Sequence, residues 1–222
     1  ILVDCLAANG VERVFCIPGE SYLAALDAFF DADIPVTVGR QEGGVAFMAE
    51  AWGKMTGRPG IAFVTRGPGA TNAAAGVHVA QQDSTPMILF VGQIGRGMRG
   101  RDAFQEVDFV GMFSGMAKWV AEIDSADRIP EMVARAFATA MAGRPGPVVL
   151  ALPEDMLRER ASVAAVAAGP VPEPAPSAAE ISRFAALLSD AERPVAIVGG
   201  SRWDDHAVAA LAAVAEAWDL PE

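Results

Sequence analysis

Six apolar runs of strand length, parted by stretches long enough to hold helices, constrain this chain more than any other feature. They are "RVFCI" (13–17), "PVTV" (35–38), "IAFVT" (61–65), "MILFVG" (87–92), "KWVAEI" (118–123) and "PVVLAL" (147–152). Such runs alternating with amphipathic segments are the signature of parallel βαβ units. All six are apolar enough to be buried on both faces. The expected fold is α/β: three α/β/α layers around a six-stranded, mainly parallel sheet, with a linker and the truncated start of a second α/β domain after it.

The helices between the runs carry their own punctuation. After Glu42, the side chains of Val45, Met48, Ala49, Trp52 and Met55 fall on one predicted helix face, and Gly57, Arg58 and Pro59 stop the helix. Asp124 or Ser125 is placed to cap "ADRIPEMVARAFATAMAG", with Pro130 tolerable only in its first turn. Residues 161–178, rich in Ala and Pro and without a period, read as a linker. A helix, a strand "PVAIVGG" and another helix follow. The predicted domains are therefore 1–160, the linker 161–178, and 179–222 as a cut-off second domain, since one strand and two helices bury no core of their own. The start at Ile1, inside a predicted helix and without Met, also suggests a partial protein.

Composition narrows the function classes. The 222 residues are 52% apolar and carry a net charge of -11, which argues against a general nucleic-acid surface and against docking on anionic membranes. No apolar run reaches bilayer-spanning length and no basic leader precedes one, so a cytoplasmic protein is expected. Cys5 and Cys16 lack metal-ligand spacing and read as buried thiols in a reducing compartment. His78 and His206 stand alone, on helix faces or the surface, so no metal site is predicted.

Three stretches carry candidate chemistry. Glu42 starts a helix, where a carboxylate complements the macrodipole; the adjacent Gly43 and Gly44 weaken that helix and make sense if something approaches closely. Walled by apolar side chains, Glu42 could share a proton with a ligand nitrogen. "TRGPGATN" ends a strand and opens a helix, which suits a ligand against free backbone N–H groups as well as a plain tight turn. "GRGMRG" (95–100) matches a dinucleotide pattern, but three arginines crowd it and no small-residue helix begins at Gly100, so a flexible basic loop over a pocket is the better reading. Gln93 and Gln105 are either satisfied structural amides or pocket-lining groups.

Taken together, "GVERVFCIPGES", "RQEGGVAFMAEAWGKMTGRPG", "VTRGPGATNAAAGVHVAQQDSTPMILFVGQ", "DAFQEVD" and "GRPGPVVLALPEDM" resemble the N-terminal pyrimidine-binding domain of thiamine diphosphate-dependent enzymes, in the acetolactate (acetohydroxyacid) synthase-like branch. The resemblance covers roughly residues 1–160, and "RPVAIVGGS" looks like the start of that family's central domain. It implies that Glu42 hydrogen-bonds N1' of the cofactor aminopyrimidine and promotes removal of the thiazolium C2 proton. The cofactor then attacks a 2-oxoacid such as pyruvate, carbon dioxide leaves, and a second carbonyl compound captures the product.

By the same resemblance Gly67, Pro68, Gly69 and Asn72 form a wall beside the pyrimidine, with Pro18 and Gly19 opposite. Gln93, Phe104, Gln105 and Lys118 match positions near substrate or active-site loops. The diphosphate and its Mg2+ are expected on a C-terminal domain that nothing in this sequence resembles, FAD is possible in a full-length protein, and a homo-oligomer, dimer or tetramer, is implied. The chain alone is expected to hold half a site and to be inactive. Gln41 and Gly43 stand where the family has His and Gln around the glutamate, "PGES" replaces PGG, and Arg66 replaces a serine. These differences leave open acetolactate formation, another carboligation or simple decarboxylation. A non-catalytic regulatory or assembly module of the same fold, and a nicotinamide or flavin oxidoreductase, are the alternatives.

Overall fold

Every one of the six apolar runs forms a strand: β1 Val14–Cys16, β2 Val36–Val38, β3 Gly60–Val64, β4 Met87–Gln93, β5 Trp119–Glu122 and β6 Pro147–Pro153. They make one sheet in the order β2-β1-β3-β4-β6-β5, and every neighbouring pair is parallel. The computed structural model describes residues 1–220. Helices α1 Leu2–Ala8, α2 Leu23–Phe30, α3 Glu42–Thr56, α4 Pro68–Gln82, α5 Phe109–Phe113 and α6 Ile129–Met141 connect and flank the strands.

Alternation along each strand sorts side chains into two cores, because successive Cβ atoms point to opposite faces. Ile61, Phe63, Ile88 and Phe90 pack with Leu6, Phe29 and Val133 of α1, α2 and α6. Ala62, Val64, Leu89 and Val91 pack with Val45, Ala49, Ala73 and Val77 of α3 and α4. The three-layer expectation is met, with Phe63 and Phe90 stacked at 4.6 Å between ring centroids in the first core.

The edges differ from the expectation of burial on both faces. All residues of β5 and the first two of β2 are half-buried, and Val38 is exposed. These two strands close the sheet, so each lacks a neighbour on one flank, whereas β3, β4 and β6 are buried throughout.

The buried stripe of α3 is also rotated from the predicted one. Val45, Ala46, Ala49 and Gly53 are buried, Trp52 is half-buried with its ring 6.1 Å from that of Phe15, and Met48 and Met55 are exposed. Small residues win because α4 crosses very close: a Cβ on Gly76 would stand 2.5 Å from the Ala46 Cβ. The larger methionines do not fit that seam. Gly57 ends the helix as predicted, in the left-handed region at φ 68°.

Helix α6 begins at Ile129 after a short 3-10 turn, Ala126–Arg128, with Pro130 in its first turn. Neither expected residue caps it. The Ser125 hydroxyl bonds Asp127, Asp124 pairs with Arg128, and the Ala126 N–H is instead taken by Glu159 at 3.0 Å. A remote carboxylate satisfies the orphan donor that a local side chain was expected to satisfy.

Two compact units divide the chain, Ile1–Val171 and a second from Pro172 onward. Within the first, residues 161–168 return to α1: Asn9 Nδ2 donates to the Val166 carbonyl at 3.1 Å, and the Ala168 N–H donates to Asn9 Oδ1 at 2.8 Å. The second contains α7 Ala178–Ser189, started by a Ser177/Glu180 capping box, and α8 Asp205–Ala217, capped by Asp204. The predicted strand "PVAIVGG" is not one, and Ile197 in it is 96% exposed. A strand needs a neighbour for its backbone groups, and the described residues of this unit offer none. Residues 221 and 222 of the predicted second domain lie outside the described residues. Among the described residues, no helix is long and apolar enough to cross a membrane.

Candidate active site

Parallel topology sends every strand toward the same edge, and the loops leaving that edge gather most of the candidate residues. Pro18 and Gly19 follow β1, Glu42 follows β2, the Gly67 turn follows β3, and Gln93 ends β4. Pro18 is exposed and Gly19 half-buried, where a Cβ would stand 2.6 Å from the Thr65 Cβ.

Glu42 is half-buried in the first turn of α3. The N-cap is Gln41, whose Oε1 accepts the Gly44 N–H at 2.9 Å; an amide at this position was not foreseen as a cap. Among the described residues the hydrogen-bond partner of Glu42 is Asn72 of α4, whose Nδ2 donates to Oε2 at 3.0 Å. The other oxygen, Oε1, lies 3.7 Å from where a Cβ on Gly69 would stand. Gly43 is buried where a Cβ would meet the Asn72 carbonyl at 3.1 Å, so the close approach predicted there is made by α4 itself.

The "TRGPGATN" turn has the geometry of a strand end opening a helix. Gly67, at φ 52° and ψ -107°, precedes Pro68 at the helix start, and the short loop carrying Phe104 and Gln105 lies across it. A Cβ on Gly67 would stand 2.9 Å from the Gln105 Cβ, so glycine is required both by conformation and by space. Gln105 has a left-handed φ of 63°, and Phe104 is 73% exposed. Inside this loop Glu106 accepts the Gly100 and Ala103 N–H groups, which hold its carboxyl below the usual range.

Gln93 is buried and bonded at both ends of its amide: Nε2 donates to the Val107 carbonyl and Oε1 accepts the Ile94 N–H, both at 2.9 Å. It is a structural amide that tethers the loop. Lys118 is not with the others. It precedes β5, at the opposite end of the sheet, and its Nζ donates to the Thr139 and Ala142 carbonyls at 2.5 and 2.6 Å, capping the end of α6. A cation at a helix C-terminus is a structural device. Lys118→Met is expected to lower unfolding stability by about 1–2 kcal/mol in urea titrations while leaving the geometry around Glu42 intact.

The basic loop 95–101 is anchored, contrary to the flexible loop expected. Arg96 pairs with Asp155 and Glu159, Arg99 with Glu122, and no helix begins at Gly100, so the nucleotide-binding geometry is absent. Cys5 and Cys16 are buried free thiols whose pKa values burial raises, which leaves them poor nucleophiles. His78 and His206 are exposed, and no cluster of metal-ligating side chains occurs among the described residues.

Sequence reasoning missed the charged group at the centre of these loops. Arg66, 7% exposed, donates from Nη2 to Glu20 at 2.5 Å and from Nε to the Phe104 carbonyl at 3.3 Å. Its Nη1 lies 3.5 Å from Glu154 Oε2 without forming a hydrogen bond. Both Arg66 and the "PGES" turn had stood out as departures from the resembled pattern; in space they meet as one ion pair. An arginine between an apolar strand and a glycine turn was the signal available.

A parallel sheet that brings a glutamate and a glycine-rich helix start to its carboxyl edge is an α/β domain of the kind whose ligands bind at that edge. The family model described as thiamine pyrophosphate enzyme, N-terminal TPP binding domain, matches residues 1–112, and the chain belongs to that family. Among its relatives, acetolactate synthase of Bacillus subtilis is 35% identical over all of this chain. Acetolactate synthase isozyme 2 large subunit of Escherichia coli is 33% identical over 99% of it. The probable acetolactate synthase large subunit of Methanocaldococcus jannaschii is 35% identical over 90%. The chain spans 39%, 40% and 35% of those relatives' own lengths, respectively.

Proposed function

We propose that this chain supplies the pyrimidine-holding half of the active site in a thiamine diphosphate-dependent enzyme that decarboxylates a 2-oxoacid, such as pyruvate, and joins the product to a second carbonyl compound. The observation that carries the reading is the Glu42–Asn72 pair beside the Gly67–Gly69 turn. One carboxylate oxygen is aligned by an amide, and the other is left for a ring nitrogen. Gly69 itself adds no side chain there: a Cβ on it would stand 3.7 Å from that oxygen and 2.9 Å from the Thr65 methyl.

These residues fit an aminopyrimidine. Glu42 holds or exchanges a proton with the ring nitrogen that faces it, Asn72 fixes the carboxylate orientation, and Gly67, Pro68 and Gly69 let the backbone approach the ring plane closely. Pro18 and Gly19 border the opposite side. When bound, the cofactor supplies the carbanion chemistry at its thiazolium carbon, and the protein sets its protonation and geometry.

The remaining parts of the site belong to a larger assembly in this reading. The diphosphate and Mg2+ sit on another domain, FAD where present sits on the central domain, residues 161–178 link the two domains, and the working unit is a cytoplasmic homo-oligomer. The chain by itself therefore binds cofactor weakly and does not turn over. The test is carbon dioxide release from pyruvate by the full-length gene product, with and without thiamine diphosphate and Mg2+. Cofactor-dependent release is expected, and tight stoichiometric binding of the cofactor to residues 1–222 alone would contradict the half-site reading.

A further inference from the structure

We infer that Arg66 is a positioning residue of this site, holding the Phe104–Gln105 loop over the Gly67 turn and thereby controlling how the 2-oxoacid anion enters. The inference rests on the reading of that turn as a wall of the cofactor site. Its own support is geometric. A guanidinium nine-tenths buried is held in place by its partners, and these come from three separate loops at the carboxyl edge of the sheet: Glu20 after β1, the Phe104 carbonyl in the loop after β4, and Glu154 after β6. The planar fork reaches all three, which a point-charge ammonium does not.

Two consequences follow. The bond to the Phe104 carbonyl adjoins Gln105, whose Cβ and carbonyl fill the space over Gly67, so loss of that bond frees the part of the loop that covers the turn. Gln93 still tethers the loop at Val107, so the freed segment is short. Charge is the second consequence. Glu20 and Glu154 are 66% and 39% exposed at this edge, and Arg66 offsets them. Without it, two unbalanced carboxylates would face an incoming 2-oxoacid anion and repel it.

The experiment uses Arg66→Met and Arg66→Lys in the full-length gene product. For Arg66→Met, the KM for the 2-oxoacid is expected to rise about tenfold or more, with the thiamine diphosphate concentration for half-activation changed less than about threefold. Raising the salt concentration should narrow the KM difference, since screening weakens the repulsion, an effect that simple loss of packing would not show. Arg66→Lys should restore much of the KM but not the loop.

The loop is read separately, by amide hydrogen exchange on the chain 1–222. Gly100, Ala103 and Glu106 should exchange about tenfold faster in both variants, with β3 and β4 unchanged. Faster exchange throughout the sheet, an unchanged KM, or a KM difference indifferent to salt would each overturn the inference. If the wild type shows no cofactor-dependent activity, the proposed function fails, and the exchange measurement still decides whether Arg66 holds the loop.

Discussion

Glu42→Gln in the full-length gene product is expected to lower cofactor-dependent carbon dioxide release by about 10²- to 10⁴-fold, the range a positioned acid–base group contributes. Glutamine keeps the shape of the side chain and can still accept from Asn72 through its carbonyl oxygen, so the 3.0 Å contact survives. What it loses is the ability to hold and release a proton at the second oxygen. Stability should stay within about 0.5 kcal/mol, because the residue is half-buried in a first helical turn and the cap at Gln41 is untouched. Asn72→Ala serves as the companion: it removes alignment without removing the carboxylate, and a smaller loss is expected.

Gly76→Val is expected to destabilise the first unit by about 3 kcal/mol or more, measured by urea unfolding followed through amide hydrogen exchange of β3 and β4. A Cβ there would meet the Ala46 Cβ at 2.5 Å and the Ala46 carbonyl carbon at 2.8 Å, and backbone does not yield as a flexible side chain does. Relief requires α3 and α4 to separate. That movement would also part Glu42 from Asn72, since each sits on one of the two helices. The variant should therefore lose activity at temperatures where it is still folded. Gly44→Ala is the control, because nothing lies within 4 Å of a Cβ at that position, and no loss of stability is expected.

Most of the sheet could be read from the sequence, because a strand buried on both faces leaves a short apolar run bounded by turn residues. The order of the strands, the only partial burial of β2 and β5, and the failure of "PVAIVGG" to pair could not. They depend on which strands become neighbours, and that is settled by long-range packing.

The conformation of the Gly67 turn was legible in the sequence, since a positive φ there is what its flanking proline and strand end already suggest. Glu42 emerged for a similar reason, as a carboxylate followed by two glycines at a helix start. The partners of these residues were harder. Glu42 and Asn72 are thirty positions apart, and Arg66 meets Glu20 and Phe104 across forty-six and thirty-eight. Such pairs exist only once β1, β3 and β4 lie side by side. The partners of Lys118 were equally illegible: resemblance at a position does not say which end of a strand carries them, and its ammonium bonds the carbonyls at the end of α6.

The most direct test of the account is the exchange rate of the thiazolium C2 proton in thiamine diphosphate bound to the full-length gene product, followed by NMR after quenching in acid. Exchange accelerated over the free cofactor in the wild type, and returned toward the free rate in Glu42→Gln, is the predicted result. Equal rates in the two proteins would contradict the role assigned to Glu42, whatever the chain proves to bind.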